Sequence, residues 1–144
     1  MNYEECFRRG LLRYVEPSKE KSQESIKRAK EWLNEAMINF ESGAFRSALL
    51  STYLAVFHSA RAVLFRDGVR EKSHYCVGVY LEKYVNQNLL EEKWVVVFDR
   101  MRSTRHEDQY TFHAPTSEEV KSSIDTARQF IKRMEELLEI ASDD

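Results

Sequence analysis

Residues 44–65 read AFRSALLSTYLAVFHSARAVLF, and as a helix this stretch is apolar around most of its circumference, through Phe45, Ala48, Leu49, Tyr53, Val56, Phe57, Ala60, Val63 and Leu64. A helix that is apolar nearly all round has to be buried on every side. Its neighbours must each supply an apolar stripe, and the flanking sequence does so. From about Ser18 to Ser42, Ile26, Ala29, Leu33, Met37 and Phe40 recur in steps of three and four between charged positions, and Gly43 ends the run. Asp67-Gly68 closes the central helix. Ser73 is placed to cap the next one, whose face is Val77, Leu81, Tyr84 and Val85 and which ends near Asn88. Thr116 and Glu119 have capping-box spacing, and Val120, Ile124, Ala127, Ile131, Met134, Leu138 and Ala141 then step four and three in alternation, a repeat suited to an antiparallel partner or a dimer seam. Trp94–Phe98 (WVVVF) has the composition of a strand, but no second run could pair with it, so a short buried helix is expected there. Residues 2–14 place Phe7, Leu11 and Tyr14 at helical spacing before a break at Pro17-Ser18. The expected fold is all-α: an antiparallel four- to five-helix up-and-down bundle forming one domain over residues 1–144, with 1–17 as a short N-terminal helix or extension and the core at about 18–141.

Composition supports this and narrows the function. Four glycines and two prolines in 144 residues leave too little turn chemistry for a fold of many short strands, while 42% hydrophobic residues suffice for one core. The net charge of -2 gives no general attraction to nucleic acid, so any such binding needs a local patch. Glu4, Glu5, Arg8 and Arg9 interrupt the N-terminus, which does not read as a secretory signal, and the uninterrupted apolar runs fall short of the roughly 20 residues that span a bilayer. A cytoplasmic protein without membrane contact is expected. Cys6 and Cys76 lack CxxC spacing and other cysteine partners, so reduced thiols are expected rather than a disulfide or a zinc site. No HExxH or acidic metal-spacing cluster and no Gly-rich phosphate loop occurs, and no cofactor is expected.

Between Arg102 and Pro115 the apolar periodicity stops, and an irregular loop is expected there. Residues 100–113 hold three arginines (Arg100, Arg102, Arg105), two histidines (His106, His113) and Tyr110, the richest polar cluster in the chain. Arginine presents a planar fork of donors suited to phosphate, and histidine moves protons near neutral pH, a pairing that serves phosphodiester chemistry without metal. The plain alternative is a solvated, charged loop. His58 on the central helix reads as a hydrogen-bonded structural histidine, and His74 beside Ser73 as a helix-end residue.

The order of these features resembles the HEPN superfamily of nucleotide-binding helical domains. Tyr53 to Leu64 (YLAVFHSARAVL) is similar to the family's tyrosine-x-alanine-x-phenylalanine-histidine helix, followed by a glycine turn at Gly68; Lys72-Ser73-His74 resembles the opening of its next helix; Arg105-His106 with Tyr110 resembles its arginine motif. These matches cover about residues 22 to 138. The resemblance implies a four- or five-helix bundle that commonly forms a homodimer, with the arginine motifs of both subunits lining a shared cleft. It also implies a metal-independent ribonuclease toxin, or the partner of a minimal nucleotidyltransferase. In the Arg105 register, Tyr110 stands where active members often carry histidine, and a phenol is a poor proton shuttle near neutral pH; Arg100 with His106, or Arg105 with His113, are the alternative registers. The candidate catalytic residues are therefore Arg105, His106 and Tyr110, with Arg100 and His113 as alternatives. Arg100, Arg102 and Arg105 are the candidates for RNA or nucleotide binding, and Tyr110 for modification. Three readings stand open: a nucleotide-binding partner of a minimal nucleotidyltransferase in a toxin–antitoxin-like pair, a metal-independent endoribonuclease, and a structural helical dimer.

Overall fold

A computed structural model describes the backbone of residues 1–110 and 114–140, and the side chains of all of these except 105–110. Its elements, in order, are α1 (Tyr3–Arg8), β1 (Leu12–Tyr14), α2 (Lys19–Glu41), α3 (Phe45–Asp67), β2 (Val69–Glu71), α4 (His74–Tyr80), α5 (Glu82–Asn86), α6 (Glu92–Tyr110) and α7 (Ser117–Glu139). The chain is mostly helical, as expected. Only three residues separate α2 from α3, so the two helices run antiparallel. They approach closely because the facing positions are small. Ser22, Ser25, Ala29 and Ala36 are the buried residues of α2, and Ser25 Oγ donates a 2.7 Å hydrogen bond to the carbonyl of His58 on α3.

Helix α3 is the buried centre that its composition requires, with Val56, Ala60, Val63 and Leu64 fully buried. At 23 residues it is also long and apolar enough to cross a membrane by length and composition, which the short uninterrupted runs did not indicate, but 72% of its apolar window is covered by the bundle itself. Helix α7 lies along α3 with Val120, Ala127, Phe130, Met134 and Leu137 fully buried, and its N-terminus carries the expected capping box, Glu119 N donating to Thr116 Oγ1 at 3.2 Å. The last stripe position, Ala141, lies outside the described residues. Trp94 and Phe98 form the first turns of α6 rather than a separate short helix, and their rings sit 5.9 and 6.4 Å from the ring of Phe130. Spacing i, i+4 turns both inward and leaves Val96 between them 48% exposed.

Four expectations are corrected. First, α6 continues as helix to Tyr110 where a loop was expected. No glycine or proline interrupts residues 99–110, and a solvated helix end needs no apolar face. Second, residues 2–14 form α1 and then β1, which pairs antiparallel with β2 in the register Leu12↔Glu71, Arg13↔Arg70 and Tyr14↔Val69. Gly68 makes this possible. It ends α3 in the left-handed region at φ 75°, and a Cβ there would come 2.6 Å from the carbonyl oxygen of Val15 and 2.8 Å from Pro17 Cγ. Third, the helix after Ser73 is broken at Leu81 into α4 and α5, where the Leu81 N–H donates to the carbonyl of Gly78 three residues back. Fourth, Cys6 and Cys76 are joined by a disulfide, with Cα atoms 6.1 Å apart, linking α1 to α4. A lack of motif spacing in the sequence could not exclude a pair that the fold brings together across 70 residues.

Candidate functional site

The first half of α6 carries two of the arginines into view. Arg102 is committed: its Nη2 and Nε donate to Asp99 Oδ1 at 2.9 and 3.2 Å, and its guanidinium lies 5.2 Å from the ring centre of Tyr75. The cation–π contact and two hydrogen bonds to one carboxylate oxygen make it a structural arginine of the α4–α6 contact. Arg100 is exposed and borders a cavity of about 130 Å³ between α3, α6 and α7. The polar lining there comes from Thr52 and Tyr53 of α3, Thr104 of α6, and Ser122, Ser123 and Thr126 of α7, over an apolar floor that includes Leu49 and Val97. The Arg100 guanidinium and the α7 hydroxyls of Ser122, Ser123 and Thr126, lining one cavity, are a donor set for an oxyanion, whereas the Thr52 hydroxyl is spent on the carbonyl of Ala48 at 2.7 Å.

Tyr53 connects this cavity to a second group. Its side chain is almost fully buried, and its hydroxyl lies 2.9 Å from Nδ1 of His74, the first residue of α4. The His74 ring in turn stacks on Phe57 at 4.0 Å. His74 is thus a helix-end residue, as expected, but one held by two residues of the tyrosine-x-alanine-x-phenylalanine stretch. His58 departs from expectation. Its backbone carbonyl is bonded by Ser25, while no described residue is hydrogen-bonded to its ring. Burial, then Arg61, Arg28 and His74, push the imidazole down to about 4, so it is neutral at physiological pH.

Arg105, His106 and Tyr110 belong to the last turns of α6, and their side chains lie outside the described residues; His113 lies outside them altogether. Of the nominated residues with described side chains, Arg100 reaches the cavity and Arg102 does not. Sequence reading missed Tyr53 as a lining residue and the hydroxyls of α7. The only signal for the latter is the run of Ser122, Ser123 and Thr126 beside the apolar stripe. Among the described residues, no three His, Cys, Asp or Glu side chains converge as a metal site.

A family model, the HEPN domain, matches residues 22–137, which takes in α3 to α6 entire and nearly all of α2 and α7. The chain belongs to the HEPN domain family. A relative from Methanocaldococcus jannaschii, named "Putative toxin MJ0605", is 34% identical over 124 residues, covering 83% of this chain and 90% of the relative. The HEPN match begins after α1 and β1. This N-terminal addition is fastened to the HEPN bundle by the Cys6–Cys76 disulfide and the β1–β2 pairing.

Proposed function

We propose that this HEPN protein is the toxin member of a toxin–antitoxin pair: a metal-independent ribonuclease whose Arg100 and Arg105 engage RNA, and whose partner is a minimal nucleotidyltransferase that silences it by adding AMP to Tyr110. The observation that carries the reading is the cavity that Arg100 lines together with the hydroxyls of Ser122, Ser123 and Thr126 of α7, on the helix that runs on to Arg105, His106 and Tyr110. The name of the archaeal relative supports the toxin half of it. Guanidinium groups there would stabilise the charge that builds on a phosphodiester in its transition state, and a histidine of the same segment would move the proton. A homodimer acting in the cytoplasm, where RNA is the accessible target, completes the proposal.

The test is one experiment with two arms. Purified protein is incubated with RNA in excess chelator, alone and after treatment with ATP and the cognate nucleotidyltransferase. Cleavage in the first arm and its loss in the second are expected, with AMP on Tyr110 by mass spectrometry and none on Tyr110→Phe. Intact RNA in the untreated arm overturns the nuclease reading, and an unmodified Tyr110 where the transferase labels another residue overturns the silencing mechanism.

A further inference from the structure

A second hollow, of about 250 Å³, opens between α2, α3 and β2 and shares no lining residue with the Arg100 cavity. Four cations from three elements border it: Lys21 and Arg28 of α2, Arg61 of α3 and Arg70 of β2. Arg61 is fixed in place, its Nε donating to Glu71 Oε1 at 2.8 Å while its guanidinium lies 4.9 Å from the ring centre of Phe65. Arg70 lies over the same ring at 5.6 Å. Among the described residues, no carboxylate comes within ion-pair distance of Lys21, Arg28 or Arg70, and Glu24 is the one acidic residue in the lining. In a chain of net charge -2 this is a local excess of positive charge, gathered by the fold from residues far apart in sequence.

We infer that the hollow between α2, α3 and β2 is a phosphate-binding site, its ligand a phosphate group supplied by the RNA backbone or by a free nucleotide. Arg61, fixed by Glu71, and Arg70, over the Phe65 ring, bring guanidinium donors to the hollow from α3 and β2 while Lys21 and Arg28 approach from α2, and that suits a tetrahedral oxyanion reached from several directions better than a planar carboxylate. His58 lies in the same lining. Arg61 from its own helix, Arg28 from α2 and His74 from α4 act on its ring electrostatically, Lys21 and Glu24 of α2 and Arg70 of β2 share the lining, and Glu71 of β2 is paired with Arg61. A bound anion offsets the cations that help keep this imidazole neutral, so the ring reports occupancy. The RNA source rests on the function proposed above; the phosphate chemistry does not.

The experiment compares wild type with Arg28→Gln/Arg70→Gln and with Lys21→Gln/Arg28→Gln, the latter confined to exposed positions of α2 and thus spared any effect on β2. Inorganic phosphate and ATP are titrated while the His58 ring signals are followed by NMR. A labelled 12-nucleotide 2′-O-methyl RNA with unphosphorylated ends, which lacks the hydroxyl needed for cleavage, and a glutamate-rich peptide as carboxylate control, are titrated by anisotropy, all in chelator. In wild type, phosphate or ATP is expected to move the His58 signals, and both double variants are expected to bind tenfold or more weakly. If the backbone is the source, RNA binding weakens in parallel, and the slope of log K against log salt falls by roughly 1 to 2. Loss for ATP and phosphate with RNA unaffected assigns the site to a nucleotide. Equal binding of every phosphate probe by all three proteins overturns the inference, as does a loss confined to the peptide, which would make the hollow a protein-docking site. Unmodified RNA left uncleaved by wild type while these binding differences persist removes the nuclease reading and leaves the phosphate site standing.

Discussion

At the scale of single residues, Phe57 joins the His74–Tyr53 pair to the Arg61 side of the second hollow. It is buried, stacks on His74, and lies 5.7 Å beneath the Arg61 guanidinium. Phe57→Ala is expected to destabilise the fold by about 2 to 5 kcal/mol through the cavity it leaves, read as a lowered urea midpoint; an unchanged midpoint would show that this part of α3 is not in the core. His58 gives a pH effect of defined sign. Its imidazole titrates near 4 when folded against an ordinary value of 6.5, so the unfolded chain binds the extra proton between those values. The stability it contributes is complete above about pH 6.5 and is lost as pH falls toward 4, amounting to about 1 kcal/mol by pH 4.5 after discounting for a ring partly open to solvent. Carboxylates titrate in acid as well, so the measurement is the difference between wild type and His58→Gln in a phosphate-free buffer. Equal losses in the two proteins between pH 7 and 5 would sink the assignment. Of the candidate site, the sequence could disclose which residue types cluster in 100–113 but not their commitments: Arg100 and Arg102 are two residues apart, yet Asp99 and Tyr75 occupy only the second. Neither the α7 hydroxyls nor the four cations of the second hollow could be grouped in advance, because tertiary packing alone brings α2, α3, β2 and α7 side chains together.

At the scale of elements, α1 and β1 stand apart, since they precede the HEPN match; the disulfide and the β1–β2 pairing tie them to the bundle, and Leu12 is buried in its core with Tyr3 and Phe7 packed against Tyr80. The disulfide closes a loop across 70 residues, and restricting the unfolded chain over such a span is worth about 2 to 4 kcal/mol. Cys6→Ser/Cys76→Ser is therefore expected to lower the unfolding free energy by that amount, read from the urea midpoint and slope. Both cysteines are fully buried, so dithiothreitol should reduce the bond in denaturant but leave it intact for hours in native buffer. Rapid reduction of the native protein, or a double serine variant as stable as wild type, would contradict this. The long helices were legible because each has its own signal. The all-round apolar surface marks α3, Thr116 and Glu119 mark the start of α7, and the stripe from Ile26 to Phe40 marks α2, whose cap by Ser18, its hydroxyl accepting from Lys21 N at 3.0 Å, the structure adds. The failures are equally local. Two three-residue strands carry no periodicity to detect, and the end of α6 lacks the apolar stripe that would have identified it as helix.

At the scale of the whole molecule, the open question is what covers the outer side of α6. Val96 is 48% exposed there, and beside it a hollow of about 440 Å³ is lined by Tyr75, Val79, Val95 and Val96, with Asp99 and Arg100 at its polar side. Arg100 also lines the candidate site, so this surface and the Arg100–hydroxyl cavity are continuous through one residue. A second copy of the chain seated on this surface would bring its own α6 beside the first and set two arginine segments around one cleft. That arrangement suits a substrate with a charge on every nucleotide better than a single Arg100 does. The expected state is a homodimer at tens of micromolar, the range in which interfaces of ordinary size associate. Light scattering on wild type should give twice the 17.1 kDa chain mass, and Val96→Glu should give one chain mass with an unchanged circular dichroism spectrum, because the substituted side chain already faces water in the monomer. If the dimer uses this surface, the Val96→Glu monomer should also lose RNA cleavage while retaining phosphate binding in the hollow of α2, α3 and β2. A wild type that stays monomeric, or a Val96→Glu protein that still dimerises, would place the partner elsewhere or remove it.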